Sequence, residues 1–411
     1  MMGETTRATQ PAATLIRRRG LLRAGAMLAA ALVAACAAPP GPRRTATPSA
    51  PATSATPAPV DPAAPVRVAL LVPLGAADPQ QEALAQALVN AARLAQGDLA
   101  GVTIDLSVHG TAGDPQRARE AAARAIAEGA RIILGPLFGV AAQAVGPVAA
   151  EAGIKVLTFS TNPAVAGRNV FLLGQTAETE ADRLISFARS RGIGSVGVFY
   201  PRTPSGQAAA DAIRAAAARE GVALTTQMDY PRSFQGIQDR AKEYAAQHAA
   251  DAVILPDGGQ ALVSAAAFLN YYGLSPTRSR FMGLGQWNAP ATTREATLHG
   301  GWFVAPDPET FAAFAARYRA AYGSDPSPVA GLAYDGIAAI GALIRDARAA
   351  GDGDPFSIDN LTNPDGFAGV SGIFRLRRDG RIDRALAVLE VGADGFTVID
   401  PAPRRFDRPA G

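Results

Sequence analysis

The sequence predicts an α/β protein with two doubly wound, Rossmann-like lobes. From Val66 onwards, short apolar runs alternate with alanine-rich stretches of helical character. This alternation is typical of parallel sheets that are covered by helices on both faces. It occurs in two series, before and after residue 174, and a body of roughly 340 residues exceeds what one hydrophobic core usually organises. Two lobes of similar design are therefore expected.

The first series opens with a buried strand, VRVALLVPL. The helix that follows residue 113 has clear ends, because Asp114 is an N-cap residue, Pro115 suits the first turn and Gly129 suits the last. The predicted strands are 66–74, 102–108, 131–135 and 155–159, and the predicted helices are 80–97, 114–129 and 140–152.

The second series begins with a helix that Thr176 can cap. Its first turn carries Glu178 and Glu180, whose charges favour the positive end of the helix dipole. The remaining predicted strands are 195–200, 222–228, 251–256 and 280–284, and the remaining helices are 206–220, 234–248 and 260–272.

The last third of the chain has a different organisation. Two helices, 308–322 and 329–348, precede a hairpin within 369–391 that turns at Asp379-Gly380. Within the second helix, Tyr334 is expected in the core and Asp335 on the surface. This order does not fit a third lobe, so the segment is expected to be shared between the first two.

The first residues are typical of a bacterial export signal. Arg17 to Arg19 form a positive segment, and the apolar run from Leu21 to Ala35 is too short to span a membrane. Leu32-Val33-Ala34-Ala35-Cys36 resembles a lipobox, which implies acylation of Cys36 and cleavage before it; the alternative is a cysteine in an ordinary signal. The Arg18-Arg19 pair leaves the twin-arginine and general export routes open.

Residues 36–65 are rich in proline, alanine and threonine and show no apolar periodicity. Such a segment is predicted to be a disordered linker, with a reach of at most ~90 Å at ~3.1 Å per residue. The net charge is +3, and no basic block interleaved with aromatic residues occurs in the body, so nucleic acid is not an expected partner.

Four stretches in the body resemble type I periplasmic binding proteins of the leucine-binding kind. They are ILGPLFGVAAQAV (133–145), KVLTFSTNP (155–163), RFMGLGQWNA (280–289) and GVSGIFRLRRDGRI (369–382). The resemblance implies two lobes joined by three crossovers near 174, 305 and 362, with the ligand in the cleft between them. The expected lobes are 66–174 with 305–362 and 175–304 with 363–402, followed by a tail, 403–411.

Ligands of open parallel sheets bind outside the carboxyl ends of the strands. Contact with the ligand and capping of a helix are equally expected roles for Ser160, Thr161 and Asn162. Asp257 is expected to be a cap or turn residue rather than a ligand contact. Trp287 is expected either to line the cleft or to pack in the hinge between the lobes, with neither favoured. The candidate cleft residues are Leu137, Phe138, Gly139, Ser160, Thr161, Asn162, Tyr200, Arg202, Asp257, Gly258, Gln286 and Trp287.

The sequence departs from the amino-acid receptors that it resembles. Gly139 replaces a serine that helps to hold the ligand carboxylate, although Thr161 matches a second position with that role. Gly285 replaces the glutamate that holds the ligand ammonium, and Pro204 replaces a tyrosine. A buried ammonium without an acidic partner costs several kcal/mol. The usual amino-acid clamp is therefore expected to be missing, unless Asp257 substitutes for it.

The resemblance leaves two functions open. FSTNPAVAGRNVFLLG (159–174) is similar to lipoprotein activators of penicillin-binding proteins, which regulate peptidoglycan synthesis. This is the main hypothesis, with a penicillin-binding protein as partner and the membrane reached through the lipid anchor. Because Ala37 is not aspartate, the outer membrane is favoured over the inner one. The alternative is the solute receptor of an ABC permease, for an amino acid or a related small molecule.

An enzyme is not expected. His109, His248 and His299 lack metal-ligand spacing to one another, and the chain has neither a G-x-S-x-G elbow nor a P-loop. No metal, catalytic residue or cofactor is predicted.

Overall fold

The two series of strands form two separate sheets in the computed structural model, which describes residues 64–406. Segment 1–35, Cys36, the linker up to residue 63 and the tail from residue 407 lie outside the described residues. The predicted fold class, two doubly wound α/β lobes with three crossovers, is confirmed.

The first sheet is parallel throughout and has the strand order β2-β1-β3-β4-β5. Along β1, Val68, Leu70 and Val72 enter one hydrophobic core, whereas Ala69 and Leu71 enter another on the opposite face. This alternation gives the sheet two buried faces. The elements are β1 (Val66–Val72), α1 (Pro79–Asp98), β2 (Ile104–Gly110), α2 (Pro115–Ala127), β3 (Ile132–Leu134), α3 (Gly139–Glu151), β4 (Lys155–Thr158) and β5 (Val170–Leu172).

The second sheet has seven strands in the order β14-β13-β10-β9-β8-β6-β7, and β13 and β14 are its antiparallel members. It also has a core on each face, with Val198 in one and Phe199 in the other. Its first elements are α4 (Ala177–Ser190), β6 (Ser195–Pro201), α5 (Pro204–Glu220), β7 (Ala223–Tyr230), α6 (Phe234–Gln247), β8 (Ala252–Ile254), α7 (Gly259–Tyr271), β9 (Arg280–Gly283), α8 (Pro290–Arg294) and β10 (Trp302–Ala305).

The last third of the chain is shared between the lobes, as predicted. Phe314 in α9 and Ile337 in α10 enter the core of the first lobe, and β13 and β14 complete the second sheet. These elements are α9 (Pro308–Tyr322), α10 (Ala330–Ala350), α11 (Ile358–Leu361), the paired β11 (Phe374–Leu376) and β12 (Ile382–Arg384), β13 (Ala387–Val391) and β14 (Phe396–Asp400).

The third passage between lobes lies later than the sequence analysis placed it. Phe374 and Ile382 of the β11–β12 hairpin pack in the core of the first lobe, whereas Leu386 packs in the second. The chain therefore changes lobe between Ile382 and Leu386 and not near 362. The predicted boundary was set by a change in composition, whereas the side chains of the hairpin find their apolar partners in the first lobe.

A buried ion pair and its hydrogen bonds join four segments beside this passage. Asp335 of α10 and Arg384 of β12 are 2.9 Å apart, and both side chains are almost completely buried. Arg384 also donates to the carbonyl of Leu173, at the end of β5, and Val370 N donates to Asp335 at 2.6 Å. The expected surface position of Asp335 is wrong, because α10 is covered on most of its circumference.

Candidate functional site

Two connections between the lobes leave the carboxyl ends of parallel strands, and the third lies beside such an end. The chain leaves β5 at Leu172 for α4, and it leaves β10 at Ala305 for α9. Strand β13 enters the second sheet beside the same end of β10, since Ala387 pairs with Ala305. The carboxyl ends of both sheets therefore lie at the junction of the lobes, which is where open parallel sheets bind ligands.

Two adjacent loops form the first-lobe side of this junction. Ser160 is buried, and its Oγ accepts a hydrogen bond from Asn162 N at 3.1 Å. The side chain of Asn162 accepts from Ala164 N at 3.0 Å, which confirms its capping role, and Thr161 is exposed. A Cβ atom at Gly139 would lie 3.2 Å from Ser160 Oγ, so a serine in place of Gly139 would crowd the neighbouring loop.

Two helices begin at the junction without a side-chain cap. Helix α3 follows Phe138, and α7 follows Gly258, and neither residue accepts a hydrogen bond through its side chain. The first N–H groups of a helix have no partner within the helix and suit anions. Leu137 and Phe138 are half-buried beside the start of α3. Each lobe thus presents free N–H donors to the junction.

The second-lobe loops carry Tyr200, Arg202 and Gln286. The Tyr200 hydroxyl donates to Gln207 Oε1 at 3.2 Å, and Gln286 is exposed. Arg202 Nε donates to Asp229 Oδ2 at 2.6 Å, and this bond lowers the pKa of Asp229. Arg202 is exposed but already paired, so a ligand anion would have to share it with Asp229.

Asp257 uses its oxygens within the second lobe. It accepts from the Tyr230 hydroxyl at 2.7 Å and from Gly258 N at 2.8 Å, and Arg232 lies 3.1 Å away. The bond to Gly258 N is that of a turn residue. With a cation and two donors already bound, Asp257 is a poor substitute for the missing ammonium-binding glutamate.

Trp287 does not line the cleft, and that prediction is wrong. Its side chain is fully buried, and its indole N–H donates to the carbonyl of Leu255 at 2.9 Å. The ring packs near Phe303 in the core of the second lobe. The apolar surface of the indole outweighs its one polar atom, which finds a partner inside the fold.

Glu180 is a residue of the junction that was not predicted from the sequence. Glu180 is 8% exposed, Gln175 Nε2 donates to its Oε1 at 2.5 Å, and Gly285 N donates to its Oε2 at 3.2 Å. Burial raises its pKa to about 7, and the two hydrogen bonds offset only part of that rise. The helical spacing of the sequence could have indicated this burial, because Glu180 lies on the same face of α4 as the buried Leu184 and Ala188.

The described part of the chain holds no cluster of three His, Cys, Asp or Glu residues arranged to bind a metal ion. Between residues 64 and 406, no helix combines the length and the apolarity that crossing a bilayer requires.

Two lobes, three crossovers and polar loops at facing carboxyl ends define the class of type I, two-lobe binding proteins. The sequence profile of the family described as periplasmic binding protein matches residues 65–396. The chain therefore belongs to the periplasmic binding protein family, whose members act outside the cytoplasm.

Solved structures share this fold at low sequence identity. A putative branched-chain amino acid ABC transporter protein from Rhodospirillum rubrum is 21% identical, with a TM-score of 0.70 over 82% of this chain and 100% of that one. A solute binding protein from Rhodopseudomonas palustris, in complex with 3,4-dihydroxybenzoic acid, is 18% identical, with a TM-score of 0.61 over 84% and 98%.

A branched-chain amino acid transporter substrate binding protein from Streptococcus pneumoniae, in complex with isoleucine, is 17% identical, with a TM-score of 0.57 over 82% of this chain and 100% of that one. No curated protein matches the sequence.

Proposed function

We propose that this protein is a non-catalytic, extracytoplasmic solute receptor of an ABC importer, for an amino acid or a related carboxylate. The observation that carries the proposal is the pair of uncapped helix N-termini, α3 and α7, at the junction of the lobes. The similar structures include proteins bound to isoleucine and to 3,4-dihydroxybenzoic acid, and both ligands carry a carboxylate. A receptor of this kind closes by hinge motion at its crossovers.

The first-lobe donors can receive such a carboxylate. The hydroxyl oxygen of Ser160 already accepts from Asn162 N, which leaves the hydroxyl hydrogen for a ligand. The N–H groups that begin α3 lie beside it, because Gly139 is within contact distance of Ser160. Hydrogen bonds to an ionised acceptor are about twice as strong as neutral ones, so this corner favours an anion.

The importer hypothesis is tested by ligand capture. Native mass spectrometry of the protein purified from its own host is expected to show a bound small molecule that is released on mild unfolding. Added back at 100 times its Kd, the molecule would stabilise the fold by about 2.7 kcal/mol, measurable as a rise in Tm. A preparation without any bound molecule, and without a Tm response to amino acids or aromatic carboxylates, would contradict the receptor role.

The lipid anchor at Cys36 is a separate part of the proposal and rests on the lipobox-like sequence. Replacing Cys36 with serine is expected to move the protein from the membrane fraction to the soluble periplasmic fraction, because the sulfur that carries the lipid is lost. Fractionation and intact mass measure this change. A Cys36→Ser protein that remains in the membrane fraction would show that another segment holds it there.

Activation of a penicillin-binding protein is the second candidate function. One observation favours it: Gly139, Pro204 and Gly285 stand where amino-acid receptors of this fold carry clamp side chains. Capture of a penicillin-binding protein by the immobilised protein, together with stimulation of its synthase activity, would support this function. Both the anchor and the linker suit either candidate.

A further inference from the structure

Glu180 is a buried acid at the joint between the lobes. It lies in the first turn of α4, directly after the first crossover, and its carboxylate is held by Gln175 and by the backbone of Gly285. Gln175 belongs to the crossover itself, and Gly285 to the loop that follows β9. The carboxylate therefore connects the crossover from the first lobe to the ligand-facing end of the second sheet.

No cation within residues 64–406 neutralises Glu180, and no charged side chain is among the causes of its pKa shift. Four arginines on α4 or near it have other carboxylate partners. These pairs are Arg183 with Asp400, Arg219 with Asp182, Arg381 with Glu178 and Arg384 with Asp335; the acid on β13, Glu390, lies near Arg280.

Gly285 leaves room for this carboxylate. A Cβ atom at position 285 would lie 2.8 Å from Glu180 Oε1 and 3.1 Å from Gln175 Nε2. The acid of Glu180 thus fills the space in which a side chain at position 285 would begin. Any larger residue at position 285 would collide with the carboxylate, so the observed position of the Glu180 side chain requires glycine there.

The other acids at the ligand-facing end of the second sheet are already engaged with arginines. Asp257 has Arg232, and Asp229 has Arg202 and Arg240. Glu180 accepts two hydrogen bonds from uncharged groups, and an ionised carboxylate has about four acceptor positions. Of the acids considered, Glu180 is therefore the one that has no cation partner and keeps acceptor positions beyond its two hydrogen bonds.

We propose that Glu180 is the cation-binding residue of the cleft and selects ligands that carry a protonated amine. This inference rests on the proposed receptor function and deepens it by naming the ligand class. In it, the ligand carboxylate binds the first-lobe donors around Ser160, and the ammonium donates to the acceptor positions of Glu180 that Gln175 and Gly285 do not use. Desolvation of an ammonium in a closed cleft is then compensated by an opposite charge.

The affinity of such a ligand depends on pH, because only the ionised form of Glu180 accepts an ammonium. With a pKa of about 7, the ionised share rises from roughly one tenth at pH 6 to roughly nine tenths at pH 8. The apparent affinity for an amine is therefore expected to increase roughly ten-fold over this range. A ligand without an amine should not show this increase.

The test compares amino acids with their deaminated counterparts. The probes are the twenty L-amino acids and, for each that binds, the carboxylic acid without its amino group, such as 4-methylpentanoate for leucine; 3,4-dihydroxybenzoate is the aromatic acid. Calorimetry on the full protein measures Kd at pH 6 and pH 8. The variants are Glu180→Gln, Gly285→Ala, which crowds the carboxylate, and Glu178→Gln as the matched control on the same helix turn.

We expect an amino acid to bind the unmodified protein and Glu178→Gln equally, and to bind Glu180→Gln at least roughly thirty-fold more weakly, without the pH dependence. Equal binding of amino acids to Glu180→Gln would overturn the inference and leave the receptor role intact. Tighter binding of 3,4-dihydroxybenzoate than of any amine would also overturn the inference about Glu180 and leave the receptor role intact. If no probe binds and no small molecule co-purifies, both the inference about Glu180 and the proposed receptor function are overturned.

Discussion

Replacing Arg384 with methionine is expected to lower the free energy of unfolding by about 3–5 kcal/mol. The change leaves the carboxylate of Asp335 buried without its cation, with the hydrogen bond from Val370 N as a remaining partner. Methionine keeps most of the length of the side chain, so the loss comes from the charge and not from a cavity. Burial already raises the pKa of Asp335, and Arg384 opposes that rise.

Urea unfolding at pH 8 and at pH 5 measures this effect. The loss should be smaller at pH 5, because protonation of Asp335 removes the buried charge. Arg378→Met is the matched control, since the Arg378–Asp359 pair is exposed and such pairs contribute about 0–1 kcal/mol. The double variant Asp335→Leu with Arg384→Met should recover most of the loss. Equal losses of stability for Arg384→Met and Arg378→Met would show that the buried ion pair contributes no more than the exposed one.

Glu180→Gln is expected to stabilise the ligand-free protein at alkaline pH. In the folded protein the pKa of Glu180 is about 7, against an ordinary value of 4.5. The folded state therefore holds this proton more tightly than the unfolded state, and the stability from Glu180 falls as pH rises from about 4.5 to about 7. The total fall is about 3 kcal/mol at about 1.4 kcal/mol per pH unit. Because glutamine does not titrate, the Glu180→Gln variant does not show this pH-dependent loss of stability.

The difference in stability between Glu180→Gln and the unmodified protein isolates this effect from the other titrating groups. It should be near zero at about pH 4 and grow to about 3 kcal/mol in favour of the variant at pH 8. Urea denaturation across this range gives the curve, and Glu178→Gln, a half-buried neighbour on the same helix turn, is the matched control. A difference that does not change with pH would mean that Glu180 titrates normally in the folded protein.

Most of the fold could be predicted from local patterns. Runs such as VRVALLV fill both faces of a sheet, and cap residues such as Asp114 mark helix ends by chemistry within one turn. The strands that were missed, β5, β10 and β14, are three to five residues long. The third crossover was misplaced because only tertiary packing decides which core receives Phe374.

The candidate site was harder to predict, since its roles depend on partners distant in sequence. Asp257 was assigned to the correct loop, but its carboxylate is bound by Tyr230 and Arg232, which the sequence did not place beside it. Glu180 was interpreted through the helix dipole alone, and one of its hydrogen-bond donors, Gly285 N, lies 105 positions later. A glycine at a ligand-binding position and a glutamate on an apolar helix face were both visible, but no local pattern links position 285 to position 180.

The three passages between the lobes also affect how the protein is made. The first sheet lacks α9, α10 and the β11–β12 hairpin until the ribosome has passed Arg384, and the second lacks β13 until a few residues later. Neither half can therefore finish folding on the nascent chain, although each has most of its strands early. Both cores are therefore completed only after the last third of the chain has left the ribosome.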